Sequence, residues 1–471
     1  MEWIKLLSRE RLFNKNKRPV EYNKMAADTM HPFLRDYYSI ISSSHFRRLQ
    51  DKTQVFSMEK NDSVRNRLTH SVEVSTIGEI LAKKLADELK NNEDTRRDID
   101  KYEETGYVFS EDLSMVVRCA GLLHDIGNPP FGHSGECYIR EWFKTIFDND
   151  QKKPANERVF SCLTKQMKND LINFEGNAQG LRIATTIGST SIPEIKDYGM
   201  LLTSGVLSSI VKYPWDSVNV PNGQKIGFYH SEDWKYDMLA ENTETKGLKN
   251  PVMLLMEAAD DLAYATADIE DFLYLDLIEL DILKDFLKDN GCSIRSKKDK
   301  PEIRNSLLVV RNICIEEVVN KFIENYDSIM NGTFNKELVE ECSVDFSILD
   351  KERKRIYALR DTINGNIYHA QTDMFCIMNR LFDCLMGENR TDNEKIADDK
   401  IKIEIDQYLK KGIAEVRHIM EHYGLNETDE KTKIEKLYHK LLTISDFVSG
   451  MTDHYVYEFV QKITDIDIGR V

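Results

Sequence analysis

Four strings in the sequence carry side chains able to grip a divalent cation or move a proton. They are Arg67-Leu68-Thr69-His70, Leu123-His124-Asp125-Ile126-Gly127, Phe131-Gly132-His133-Ser134-Gly135-Glu136 and Glu257-Ala258-Ala259-Asp260-Asp261-Leu262-Ala263-Tyr264. Imidazole nitrogen and carboxylate oxygen together form a shell suited to divalent metal ions. Neighbouring residues on a helix diverge by roughly 100°, so His124 and Asp125 point apart and straddle an ion. His70 and one aspartate of the Asp260-Asp261 pair, carried on other segments, would close the shell and leave positions for water and a phosphate oxygen. Asp260, Tyr264 and Asp268 stand at i, i+4 and i+8, so one helix face presents a ligand, an aromatic platform and a hydrogen-bond acceptor in a row. Each string also has a plainer reading. A His-Asp pair can cap a helix end, Asp260-Asp261 can be a solvated edge, and His70 can be a satisfied core histidine. The coincidence of all four favours the metal site.

Those side chains need helices to carry them. From Asn66 to Leu89 the apolar positions Leu68, Val72, Ile77, Leu81, Leu85 and Leu89 follow the helical period. The charged stretch Lys90 to Glu104 reads as a solvated loop or helix end. A second helix, Leu113 to Ile126, is stopped by Gly127-Asn128-Pro129-Pro130, because proline disfavours helical geometry in the residue before it. Asn250-Pro251 opens another strong helix with the body VMLLMEAADDLAYATADIEDFL: asparagine caps the free amides, and proline at the first position loses no intrahelical bond. Gly291 to Asn305 is polar and proline-interrupted and marks a boundary or surface crossing. Leu307 to Ile323, Thr372 to Met386 and Lys433 to Phe459 read as long amphipathic segments, and Ser204 to Trp234 as loop with a short hairpin. No internal repeat of roughly 20–50 residues is present.

The balance of 64 basic and 80 acidic residues in 471 gives a net charge of −16, a field that repels phosphate backbones and excludes wholesale nucleic-acid coating. Glycine (22) and proline (10) are scarce, which excludes collagen-like and low-complexity classes and favours a helix-rich chain. Eight cysteines without a C-x-x-C suit reduced core thiols and a cytoplasmic location. The N-terminal apolar run is too short for a secretory leader, and no stretch approaches the ~18 apolar residues of a membrane helix.

The pattern H…HD…D, with GNPPFGHSGE after the HD pair and EAADDLAY further on, resembles the HD-domain metal-dependent phosphohydrolases. More narrowly, the chain is similar to the bacterial deoxyguanosinetriphosphate triphosphohydrolase family, with relatives among broader deoxynucleoside triphosphate triphosphohydrolases. FRRLQDKTQVF (Phe46–Phe56), NRLTHS (Asn66–Ser71), NFEGNAQGLRI (Asn173–Ile183) and KYPW (Lys212–Trp215) support it, and the likeness spans about Phe46 to Phe272. It implies an all-α fold: an HD-domain helical core over 1–290, with an N-terminal arm 1–45, and additional C-terminal helices over 291–471 packed on or completing the core. It implies His70, His124, Asp125 and Asp260 as ligands of one divalent metal, with Asp260 preferred to Asp261 because Tyr264 and Asp268 then fall at the family's spacings. Mn2+ or Mg2+ are the first choices, with Co2+, Fe2+, Ni2+ and Zn2+ behind them. His133 and Glu136 match the catalytic histidine and its acidic partner. Gln54 and Asp268 match groups that hold the deoxyribose 3′-hydroxyl, Val55 joins the substrate contacts, and Tyr264 matches the ring under the sugar that leaves no room for a 2′-hydroxyl. Arg67 and Lys212 resemble nucleotide and polyphosphate contacts. Asn128 stands where many relatives have histidine, and this form resembles the dGTP-preferring branch.

The implied reaction is dNTP + H2O → deoxynucleoside + triphosphate, with attack at the α-phosphorus and dGTP preferred. The resemblance also implies a homo-oligomer, as a hexamer, and single-stranded DNA as a further partner. Three readings compete. The same metal site could serve a nucleoside monophosphate or a guanosine alarmone, or the protein could bind nucleotides without catalysis. His418-Ile419-Met420-Glu421-His422 spells H-x-x-E-H, the inverted zinc-protease motif, for which an amphipathic helix with solvated histidines is the plainer account.

Overall fold

Local chemistry sets where each site-bearing helix begins. The computed structural model describes residues 1–12, 30–55, 61–188, 198–292, 300–363, 366–386 and 392–467. Asn66 Oδ1 accepts from the Thr69 amide at 3.0 Å, and Thr69 Oγ1 accepts from the Asn66 amide at 3.1 Å. This reciprocal cap satisfies two orphan groups and starts helix α1 (Arg67–Asn91) one turn before His70. Asn92 ends α1 and at once caps α2 (Glu93–Glu103), its side chain accepting from the Asp94 amide at 2.9 Å. The stretch expected as a solvated loop or helix end is therefore largely a helix of its own. Thr95, Ile99 and Tyr102 turn inward at helical spacing, a stripe too sparse to show through the surrounding charge.

Helix α3 (Phe109–Leu123) lays Leu113, Val116, Val117 and Ala120 into the core against α1. At Gly121 a Cβ would fall 2.6 Å from the Ser75 backbone, so the two helices cross at a distance that glycine alone permits. The chain leaves α3 at His124. It passes the two prolines and turns through left-handed conformations at Phe131 (φ 62°) and Gly132 (φ 56°) into α4 (His133–Gln151). Asn250 caps α5 (Pro251–Tyr274), accepting from the Val252 amide at 2.8 Å. Helix α5 is buried along most of its length and packs on both α1 and α3, so these three helices enclose the site.

The segment Ser204 to Trp234 forms no hairpin. A short helix, Ser204–Ser208, is followed by irregular chain whose Ile226, Phe228 and Tyr229 are buried, Phe228 stacking on Tyr236 at 4.0 Å between ring centroids. Pinned by its side chains, this chain has no strand to pair with. Among the described residues the only β-bridges are isolated ones, Arg11 with Thr203 and Thr53 with Asn66, and the fold is all-α.

The proposed boundary region lies partly outside the described residues; from Lys300 the chain is helical as α6 (Lys300–Glu324). Arg311 joins α6 to α5 and α1, donating to Thr266 Oγ1 at 2.8 Å and to Glu73 at 2.9 Å. Then come α7 (Ser347–Ile363), α8 (Asn366–Met386), α9 (Asp392–Tyr423), α10 (Glu430–Ser449) and α11 (Asp453–Asp467). Lys433 to Phe459 is thus two helices, broken at Gly450. All eight cysteines are free thiols; Cys119, Cys314 and Cys384 are buried while Cys137 and Cys162 are exposed, so the thiols are less uniformly internal than their apolar neighbourhoods suggested. Among the described residues no helix is long and apolar enough to cross a membrane.

A buried cation staples the two halves of the chain. Arg182, 1% exposed, donates from Nε and Nη2 to the two oxygens of Asp446 on α10 at 2.8 and 2.7 Å, and from Nη1 to Glu232 at 2.8 Å. Lys235 extends the network to Glu415 on α9 at 2.9 Å. Removing the guanidinium leaves carboxylates buried without their partner, which costs about 3–5 kcal/mol in comparable pairs. Arg182→Met is expected to lower the free energy of unfolding by that amount, read as a lower urea midpoint at unchanged slope. An unshifted midpoint would show that the network does not hold the halves together.

Candidate metal centre and active-site cavity

The ends of α1 and α3 and the third turn of α5 meet at one point. The metal-capable atoms of His70, His124 and Asp125 all lie within 4.8 Å of one another, the one such group of three among the described residues. The two imidazoles meet edge to face at 5.3 Å between centroids. Asp260 Oδ1 lies 3.0 Å from His70 Nε2 and 3.6 Å from His124 Nε2, so Asp260 faces both imidazoles. His124 Nδ1 lies 2.8 Å from the Gly121 carbonyl. That nitrogen therefore carries the proton and donates, leaving the Nε2 lone pair turned to the cluster. Nε2 is buried with no hydrogen-bond partner. A buried acceptor left unmatched is costly, and two imidazoles with two carboxylates are a donor set that a divalent cation fits.

The surrounding charges keep the donors ready. Burial works against ionised Asp125, but the Arg67 guanidinium, 2.6 Å from Oδ2, and the two histidines outweigh it and hold the carboxyl well below the usual range. Burial also opposes ionised Asp260, yet His124 and His70 lower its pKa. Asp261 differs: burial and the adjacent Asp260 charge push it up to about 8. The two neighbouring carboxyls are thus shifted in opposite directions.

His133 opens α4 at the mouth of the site, its side chain 82% exposed, with Nδ1 3.0 Å from Glu136 Oε2. Glu136 is buried, and its other oxygen accepts from the Gly176 amide at 2.8 Å. Burial opposes its charge, but the hydrogen bond and charge of His133 prevail and lower its pKa. Ionised Glu136 therefore orients the ring, taking Nδ1–H and leaving Nε2 to act. Behind it Arg140 donates to Glu136 at 3.4 Å and to Glu175 at 3.1 Å, and Lys225 donates to Glu175 at 3.1 Å. Sequence reasoning missed this chain of alternating charges, although Arg140 follows Glu136 at i+4 on one helix.

A cavity of about 410 Å³ opens beside the cluster, within the roughly 300–1,000 Å³ of small-molecule sites. It brings together Gln54, Arg67, Lys212 and Tyr264 with His133 and the four cluster residues. Gln54 Oε1 is buried without a hydrogen-bond partner. Lys212 is held by Glu257 at 2.8 Å. Val55 packs in the apolar core rather than in the cavity wall. Asp268 lies behind the wall: Tyr357 of α7 donates to its Oδ2 at 2.6 Å and lies 3.2 Å from the Tyr264 hydroxyl. The Arg353 guanidinium stacks 4.0 Å from the Tyr264 ring centroid. Arg353 and Tyr357 were missed because Arg-x-x-x-Tyr is too common a spacing to stand out in sequence.

The C-terminal helices also tie together segments that flank the cavity. Asp453, at the first position of α11, accepts from the Thr53 amide at 3.1 Å and the Phe131 amide at 2.9 Å, joining the segment before Gln54 to the turn before His133. Lys52, pulled down to about 7 by burial and then by Arg67, donates to the Asn128 and Ser449 carbonyls at 2.6 and 2.8 Å. His418 sits on α9 with its ring 5.2 Å from that of Tyr198, in no metal-capable group among the described residues; the side chain of His422 lies outside them.

The HD-domain family profile matches residues 67–179, the stretch holding His70, His124-Asp125 and the His133–Glu136 pair. An all-α chain with this match and this cluster is an HD-domain protein. It is 32% identical to the deoxyguanosinetriphosphate triphosphohydrolase-like protein of Listeria monocytogenes, over 99% of this chain and 100% of that one. It is 30% identical to the like-named protein of Synechocystis, with coverage of 99% and 100%. With the deoxyguanosinetriphosphate triphosphohydrolase of Yersinia pseudotuberculosis it shares 28% identity over 92% of this chain and 93% of that one. The chain belongs to the deoxyguanosinetriphosphate triphosphohydrolase-like family, and the likeness reaches into the C-terminal third that offered no readable motif.

Purified protein dialysed against Mn2+ is expected to retain a single ion per chain, and His124→Ala to fall to background metal content with its far-ultraviolet circular dichroism unchanged. Full metal content in a folded His124→Ala would place the ion elsewhere.

Proposed function

We propose that the protein is a metal-dependent deoxynucleoside triphosphate triphosphohydrolase that prefers dGTP and cleaves at the α-phosphorus, releasing deoxynucleoside and triphosphate. The observation that carries this reading is the His133 imidazole, held by buried Glu136, lining the same cavity as His70, His124, Asp125 and Asp260. The names of the relatives and the Asn128 form of the motif support the substrate class. A divalent ion held by the four residues supplies positive charge that polarises a phosphoryl oxygen and acidifies water.

The remaining work falls to the chain's own side chains. His133, steadied by Glu136, gives a proton from Nε2 to the departing 5′-oxygen. Arg67 and Lys212 counter the phosphate charge, which an acidic chain must do locally. The Tyr264 ring, backed by Arg353, is the wall that a ribose 2′-hydroxyl would strike. Gln54, which lines the cavity and carries a buried, unmatched side-chain oxygen, serves as an acceptor for the sugar 3′-hydroxyl, next to core-packed Val55, and Asp268 serves the same end of the site. Mn2+ or Mg2+ as the native ion, a homo-oligomer, a contact with single-stranded DNA and a cytoplasmic location are carried by the family resemblance. Turnover of a monophosphate or alarmone is disfavoured by the relatives, and a binding-only role by the His133–Glu136 pair, since binding needs no proton donor.

A panel of the four dNTPs with Mn2+ or Mg2+, resolved by product, tests the reading. Inorganic triphosphate and deoxyguanosine are expected, with dGTP fastest and kcat about 10²–10⁴-fold lower in His133→Ala. Orthophosphate or pyrophosphate as the initial product would overturn it.

A further inference from the structure

The carboxylate of Glu136 serves two side-chain donors at once. Its Oε2 accepts from His133 Nδ1 at 3.0 Å and from Arg140 Nη2 at 3.4 Å, and its Oε1 takes the Gly176 amide at 2.8 Å. Arg140 is anchored: Nε donates to the Phe174 carbonyl at 2.6 Å, and Nη2 also reaches Glu175 Oε2 at 3.1 Å. Buried Glu175 gives its other oxygen to Lys225 and Asn177 at 3.1 and 2.9 Å. The guanidinium is therefore held between two buried carboxylates and shares one oxygen with the imidazole.

A buried carboxylate whose only cationic partner is an imidazolium holds that proton tightly, because giving it up leaves the negative charge uncompensated. A general acid has to release its proton in the transition state. Arg140 reconciles the two demands. A guanidinium does not titrate in proteins, so Glu136 keeps a cation whether His133 is charged or neutral. Glu175 competes for the same guanidinium and limits how much of it Glu136 receives.

We infer that Arg140 is a positioning residue for the proposed general acid: acting through Glu136, it keeps that carboxylate compensated after His133 has given its proton, and Glu175 tunes its pull. The inference rests on the triphosphohydrolase reading for its part in turnover. Behind His133 the charged groups are Glu136 and Arg140 on its own helix, and Glu175 and Lys225 on the segments packed against it. Across the cavity stand the metal cluster with Arg67, the Lys212–Glu257 pair, Asp261 and the phenols of Tyr213, Tyr264 and Tyr357, while α8 contributes uncharged Ala370 to the lining. The groups across the cavity are common to wild type and the variants below. Loss of the Arg140 charge frees Oε2 for the imidazolium and leaves Glu175 less balanced, and both favour charged His133. Loss of the Glu175 charge gives Arg140 wholly to Glu136, which disfavours it.

The test follows the His133 resonance of 13C-histidine-labelled, Mg2+-loaded protein by NMR across pH, identified by its absence in His133→Ala. The midpoint is expected to rise by about 0.5–1 pH unit in Arg140→Met, the effect of a nearby charge partly screened by water. It is expected to fall in Glu175→Gln and to stay close to wild type in Arg140→Lys. The basic limb of the kcat profile on dGTP should move with it, and the plateau in Arg140→Met should drop by about twofold to threefold as the acid weakens. A merely structural clamp would lower kcat and leave the midpoint in place. An unmoved midpoint in folded Arg140→Met, or shifts of the same sign in Arg140→Met and Glu175→Gln, would overturn the inference. Should Arg140→Met not fold, Glu175→Gln decides: a fall supports the inference, and an unmoved or raised midpoint overturns it. Absence of dNTP turnover by the wild type is a separate outcome that removes the triphosphohydrolase reading, while the midpoints still decide whether Arg140 governs His133.

Discussion

A single carboxylate oxygen, Asp260 Oδ1, set against imidazoles from two other helices, imposes the conditions that the rest of the molecule meets. It requires α5 to lie within a side chain's length of both α1 and the end of α3. The crossing at Gly121, where a side chain would strike the Ser75 backbone, is what brings α1 and α3 together. It also concentrates acidic groups, since Asp125 and Asp261 stand beside Asp260. Arg67 and the two histidines offset that repulsion from within the chain.

The helices after residue 300 are part of the same construction. Asp453 joins the Thr53 segment to the Phe131 turn, Lys52 joins Asn128 to the end of α10, and Arg182 joins the middle of the chain to Asp446. Tyr357 and Arg353 complete the wall around Tyr264. The relatives match over nearly the full length, as a site assembled from both ends of a chain requires. The division of labour is also electrostatic. Net charge is strongly negative, yet Arg67, Lys212 and Lys225 line the cavity among its carboxylates and offer an anionic ligand cationic partners there.

What could be read from the sequence was what depends on spacing along one helix or on a cap. The Asn66 and Asn250 caps, the stop at the diproline, the His124-Asp125 pair and the Asp260–Tyr264–Asp268 face all follow from local rules, and the structure brings His70, His124, Asp125 and Asp260 together where the start of α1, the end of α3 and the third turn of α5 meet. Two kinds of feature were hidden. Helix α2 has so few inward residues that its charge masked them. The contacts across long sequence separations, such as Tyr357 with Asp268 or Asp453 with Phe131, depend on which helix packs on which. No periodicity states that. Val55 shows the converse: motif likeness placed it among substrate contacts, whereas its side chain belongs to the core.

The central claim is that four side chains from three helical segments hold one ion. Anomalous diffraction at the manganese edge from crystals of the Mn2+-loaded protein tests it most directly. A single strong peak bonded to His70, His124, Asp125 and Asp260 is the predicted result, and a peak elsewhere, or one lacking the Asp260 bond, would contradict the account.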